Sequence, residues 1–219
     1  MNEDTNGRLD PCLFNGTPLT IPSEHGARPW AYKQFEASEG DCGSRMIYLC
    51  EPVTSGTAMR VINELLSYES ADPGVPIHMQ IYSPGGCVIS GLAIIDAMNH
   101  ITSPVFTYAI GCAASMGAVI LACGEKDHRY ILPHSRVMIH QASGGAGGSM
   151  DNVRAMLAFH SELEAECEAM LAEASGRGIE EIRTASRVDN WLRSTAAIEF
   201  GLVDHVLEGA PQIRTSSEN

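Results

Sequence analysis

Between residues 45 and 207, short apolar runs alternate with longer stretches of helical period, and glycine, proline or serine punctuates most changeovers. That alternation constrains the fold more than any other feature. Repeated strand–helix units give an α/β architecture with a mainly parallel sheet. The strands are read at 45–50 (RMIYLC), 76–82 (PIHMQIY), 105–110, 130–132, 137–139 and 202–207. A helix over 55–68 carries Met59, Ile62 and Leu65/Leu66 at helical spacing, with Ser55 as its cap. A second follows Gly86, with Ile89, Leu92, Ile95 and Met98 facing one way. A third, buried, spans 116–123. A long helix begins near Ser149, carries its apolar stripe through Val153, Met156/Leu157, Leu163, Cys167 and Met170/Leu171, and stops at Gly176. A last short helix is capped by Ser194 and ended by Gly201.

The flanks read differently. Residues 1–44 are rich in Gly, Pro, Asp, Glu and Ser without a sustained period, which reads as an arm, and 210–219 reads as a polar tail. The 219 residues suit one domain with a sizeable core. A formal net charge of −13 argues against nucleic acid or an anionic membrane as partner. Seven cysteines, an odd number with no C-x-x-C pair, fit reduced thiols in a cytosolic compartment better than a disulfide framework or a zinc site. The acidic N-terminus is unlike a secretory signal, and no apolar run approaches the ~20 residues of a spanning helix. A soluble, cytoplasmic protein is expected.

Two strand–helix junctions could carry chemistry. In IYSPGG (81–86), glycines after a strand let backbone amides approach a ligand closely, suiting an anion or a developing oxyanion. The same residues also make an ordinary tight turn. They are neither a dinucleotide fingerprint nor a P-loop, since G-x-G-x-x-G and G-K-[ST] are absent. In GCAASMGAVI (111–120), Ser115 sits where a strand meets a helix, in an approximate G-x-S-x-G turn with Ala113 in place of the first glycine. It is either a nucleophile or one more small buried residue.

A nucleophilic serine needs a base. Of eight histidines, His140 stands out because it ends the apolar run VMIH just before a glycine-rich loop. A strand-end histidine bonded to backbone is the alternative. His25, His78, His100, His128, His134, His160 and His205 read as loop, helix-face or strand-end residues. Among 27 acidic residues, spacing cannot choose the group that orients the base. The run Glu162/Glu164/Glu166/Glu168 reads as an exposed helix face, and Lys126 as a surface lysine. No His/Cys cluster has metal-ligand spacing, so no metal is expected.

Taken in order, IYSPGG, GCAASMGA (111–118), LPHSRVMIHQ (132–141), the glycine-rich 144–148 and DNWLRSTAAIEFGLVD (189–204) resemble the ClpP family, the serine peptidase subunit of the Clp protease. The resemblance covers roughly 45–207 and implies a ClpP-like peptidase domain over 45–209, with a crotonase-like α/β fold and a projecting helical handle. It implies Ser115 as nucleophile, His140 as general base and Asp189 as the orienting carboxylate. The amides of Gly86 and Met116 would form the oxyanion hole. Gly85, Ser143 and Gly144 would border extended peptide along QASGG. The family assembles as two stacked heptameric rings fed by a hexameric AAA+ unfoldase. The subunit needs no cofactor, because ATP is consumed by the partner.

Two departures stand out. Residues 1–44 show little of the family's Arg- and aromatic-rich axial segment, which bears on unfoldase docking. Where the family has D-R-D-x-[FW], this chain has Arg187-Val188-Asp189-Asn190-Trp191. The Asp–Arg pair that links rings is therefore missing, and ring pairing is expected to be weaker or to depend on a paralogous subunit. The rival readings are a catalytically weak, structural ring subunit and acyl-CoA chemistry on the related crotonase fold.

Overall fold

The computed structural model describes residues 45–207 and two short strands nearer the N-terminus, β1 (Leu13–Phe14) and β2 (Thr17–Pro18). These two pair antiparallel, a hairpin that the reading of 1–44 as an aperiodic arm did not include. The rest of that arm and the tail 210–219 lie outside the described residues. The chain divides into two units after Gly40, and the main sheet with its helices belongs to the second, Asp41–Asn219.

A seven-stranded sheet forms the centre of that unit. β3 (Met46–Leu49), β4 (Ile77–Ser83), β5 (Val105–Ala114), β6 (Arg129–Ile131) and β9 (His205–Val206) lie side by side, all parallel. β7 (Arg136–Ile139) runs parallel to the far end of β5, and β8 (Asn190–Arg193) closes antiparallel on β7. Six helices complete the described unit: α1 (Ser55–Ala71), α2 (Val88–His100), α3 (Met116–Ala122), α4 (Met150–Ser175), α5 (Ile179–Ala185) and α6 (Ser194–Phe200).

The main core alternates along the strands as a pleat requires. Ile77, Met79 and Ile81 of β4 join Val105 and Ala109 of β5 in it. The residues between them turn to the other face, where Tyr108 stacks on Tyr130 with centroids 4.9 Å apart and Phe106 stacks on His128 at 3.9 Å. His78 belongs to this second face. It is buried within the strand, not at its end, its Nδ1 is 2.7 Å from the Tyr108 hydroxyl, and burial pushes it down to about 4.

Several local expectations shift. Thr54, not Ser55, caps α1, its hydroxyl accepting from Thr57 N at 3.2 Å. Ser194 is the first helical residue of α6, and Arg193 occupies the cap position. In α1 the core takes Ala58, Val61 and Leu65, one residue around the helix from the expected stripe, so Met59 is 59% exposed. β5 runs past Ile110 to Ala114, because it exchanges partners at Gly111: 107–109 pair with β6, and 112–114 with β7. Glycine fits there because φ is +69° and a Cβ would crowd the Tyr82 ring at 2.9 Å.

Arg129 fastens one margin of the sheet. Its guanidinium donates to both Asp204 oxygens, at 2.9 and 2.6 Å, and to the carbonyls of Ala122 and Ala174 that end α3 and α4. The two side chains are 4% and 11% exposed. Burial by itself would raise the Asp204 carboxyl, but the hydrogen bonds and charge of Arg129 outweigh it and hold it below its ordinary value. A carboxyl lowered on folding stabilises the native state above the unfolded value near ~4 and loses that contribution as pH falls through the lowered folded value. Asp204→Asn strands a buried cation, so urea unfolding at neutral pH is expected to show a loss of about 3–5 kcal/mol. The gap to wild type should narrow as unfolding is repeated below pH ~4.

Candidate active site

Strand register assembles the site. β5 and β7 pair Ala113 with Val137 and Ala114 with Met138, and Ser115 N then donates to Met138 O at 2.8 Å. The chain therefore leaves β5 at Ser115 beside the end of β7, where Ile139 is followed by His140. The antiparallel pairing of Ile139 with Asn190 sets Asp189 across from His140. The side chains complete the arrangement. His140 Nε2 lies 2.9 Å from Ser115 Oγ, and His140 Nδ1 lies 2.9 Å from Asp189 Oδ1. The histidine side chain is 18% exposed and the aspartate 58%.

Ser115 stands at φ 53°, ψ −124°, a conformation costly for a residue with a Cβ. The cost is what a sharp strand-to-helix elbow requires to aim the hydroxyl off the sheet edge. Met116, the next residue, opens α3, so its amide has no acceptor inside the helix.

The SPGG turn packs against this elbow. Ser83 donates its hydroxyl to Glu51 O at 2.7 Å and accepts from Gly85 N at 3.2 Å. Val53 grips the turn from outside: its N–H donates to Gly85 O and its carbonyl accepts from Cys87 N, both at 2.8 Å. Neither bond uses the Gly86 amide. At Gly85, φ is +92°, and a Cβ would meet Ser115 Cβ at 2.6 Å and Met116 N at 2.9 Å. At Gly86 a Cβ would collide with the Val53 carbonyl oxygen.

Two recesses open near the elbow, and the serine borders one of them. One is lined by Ser115, His140, Val88, Val119, Ile139 and the inner face of α4. The other is an open cleft of about 410 Å³ between Gly86–Ile89 and residues 142–144, so Ser143 and Gly144 face Gly86 across it. QASGG itself has no regular secondary structure. Gly85 lies behind the serine instead of in the cleft wall. Among the described residues no group of three or more His, Cys, Asp or Glu could hold a metal ion, and no helix is long and apolar enough to cross a membrane.

Sequence reasoning missed Val53, which lies in a short segment without period, and the Ser186 carbonyl that accepts from Gln141 N at 2.8 Å. It also misjudged α4: Glu164 is half-buried and Glu168 is buried, with Arg183 Nε donating to it at 2.9 Å. The spacing Glu164, Cys167, Glu168, Leu171 was the available signal, since i, i+3, i+4 and i+7 share one helix face.

The arrangement matches known proteins across most of its length. The Clp protease family model matches residues 38–210. Two relatives, each the ATP-dependent Clp protease proteolytic subunit 1, come from Prochlorococcus marinus strain MIT 9312 and from Prochlorococcus marinus subsp. pastoris. Each is 42% identical over 194 residues, 89% of this chain and 97% of the relative. With the match spanning the whole sheet, both glycine turns and the His140 strand, the chain belongs to the Clp protease family and is a peptidase of the ClpP type.

Proposed function

We propose that the chain is a serine endopeptidase in which Ser115 attacks the scissile carbonyl, His140 is the general base and Asp189 orients it. The single observation that carries this reading is the pair of 2.9 Å contacts on the two nitrogens of one imidazole. Only one tautomer serves both: Nδ1–H donates to the Asp189 carboxylate, leaving Nε2 to accept the Ser115 hydroxyl. As Oγ bonds to the carbonyl carbon, its proton passes to Nε2. The imidazolium that forms is stabilised by Asp189 and then protonates the leaving amine. Water, with His140 again as base, hydrolyses the acyl-enzyme.

The amides of Gly86 and Met116 form the oxyanion hole. Met116 opens the helix at the elbow and Gly86 belongs to the turn packed against it; neither amide is among the bonds that hold that turn, and one such donor is worth about 3 kcal/mol in the transition state. Extended polypeptide lies in the cleft between Gly86 and Ser143–Gly144, pairing main chain to main chain. The subunit works in the Clp complex with an ATP-consuming unfoldase, in paired heptameric rings, homomeric or shared with a paralogous subunit, and needs no cofactor of its own.

An alkyl fluorophosphonate should label the wild-type protein at Ser115 and leave Ser115→Ala unlabelled. Absence of labelling, alone and with a partner subunit, sinks this reading in favour of a structural ring subunit. Asp189→Asn should lower kcat on a fluorogenic peptide by about 10⁴-fold through loss of the correct tautomer. Gly85→Ala pushes a methyl into the turn that aims Ser115. Because an ~1 Å misplacement can cost about 100-fold, its peptidase rate should fall by that order, which steady-state kinetics will read.

A further inference from the structure

The wall that α4 turns toward Ser115 is only partly apolar. Glu164, Cys167, Glu168 and Leu171 occupy one helix face and all line the recess that contains Ser115 and His140. The two carboxylates differ in their company. Glu168 is buried and neutralised by Arg183, which also donates to Glu180 at 2.6 Å. Glu164 is half-buried and has neither a hydrogen bond nor an ion pair among the described residues.

Glu164 stands where three recesses meet. It borders the one with Ser115, the cleft with Ser143 and Gly144, and a polar hollow lined by Gln141, Arg183 and Arg187. The two arginines border only the last of these. Burial pushes the Cys167 thiol up to about 11, so it adds no charge at neutral pH. Val88, Val119, Ile139 and Leu171 supply the rest of the wall.

An unpaired carboxylate beside apolar surface calls for a particular complement. A purely apolar side chain would strip water from Glu164 and return no hydrogen bond in exchange. A side chain with an aliphatic stem and a cationic head lays the stem along the apolar residues and brings the head to the carboxylate. The chain's net charge of −13 favours the approach of such peptides.

We infer that Glu164 sets the specificity of cleavage, selecting lysine or arginine over an apolar residue of equal length on the N-terminal side of the scissile bond. The inference rests on Ser115 being the nucleophile, as proposed above.

Peptidyl diphenyl phosphonates, which phosphonylate a nucleophilic serine with loss of phenol, test it on the full-length protein. Two probes differ only in the residue bearing phosphorus, lysine in one and norleucine in the other. Each rate of Ser115 labelling, read by mass, is divided by the alkyl fluorophosphonate rate of the same variant. The lysine probe should react about tenfold or more faster with wild type. Glu164→Gln should bring that ratio down about tenfold, and Glu164→Lys should invert it. A norleucine probe that reacts as fast or faster with wild type overturns the inference. So does a ratio that Glu164→Gln leaves unmoved, or silence of both peptidyl probes in protein that the fluorophosphonate labels. Silence of the fluorophosphonate as well overturns the serine-peptidase reading, and this inference with it.

Discussion

A one-residue slip of β7 against β5 would turn Val137 and Ile139 out of the core and carry His140 to the wrong face. That pairing is the constraint on which the rest of the structure depends. It is enforced from both ends of a strand only four residues long. At the start, the Ser135 hydroxyl accepts from Gly111 N at 2.8 Å, where β5 changes partners. At the finish, Met138 O takes the Ser115 amide and Gln141 N reaches Ser186 O. Val137 and Ile139 are almost fully buried, so the hydrophobic term and the hydrogen bonds favour the same register. With β5 on one side and β8 on the other, Ser115, His140 and Asp189 come together from three segments without any of the three having to search for the others.

Polar contacts anchor the frame behind that register. Arg129 brings a full charge into the interior, and the Asp204 carboxylate and two backbone carbonyls answer it. Those carbonyls end helices, where a cation meets the negative end of the helix dipole. α4 is thus fixed at its C-terminal end by Arg129 and again by the Glu168–Arg183 pair, and the face that borders the serine runs from Glu164 through Glu168 to Leu171. Most of the N-terminal part of the helix is exposed, including Met150, Leu157 and Phe159. The apolar stripe of α4 is accordingly half core and half outward surface.

Much of this was legible in the sequence, for reasons that differ by element. The segments 77–81, apolar at every second residue, and 116–122, apolar throughout, are both resolved by burial, and their pattern places them within a residue or two. Residues 112–114 do not read as strand, because small side chains after a glycine look like a turn until β7 is seen to pair with them. β8 and α5 escape the pattern as well: β8 alternates half-buried with exposed residues, and α5 buries Ile182 alone. Spacing could suggest Ser115 and His140, since each ends an apolar strand. It could not single out Asp189, which is 58% exposed and owes its place to an antiparallel pairing made 49 residues away from His140. There the family resemblance supplied what local pattern could not. Glu164 and Glu168 mislead because a run of alternating glutamates resembles a solvated face until its i, i+4 members are followed onto the packed side.

The antiparallel closure of β8 on β7 also bears on synthesis. The Asp189 carboxylate lies beside the last strand but one, about a third of the chain after the serine. A nascent chain that has completed β5, α3 and β7 holds a serine and a histidine but nothing to fix the imidazole. The contacts between Ser115, His140 and Asp189 are complete only when its C-terminal region has docked. A peptidase built in this order completes its candidate site last, once it is no longer unfolded polypeptide itself.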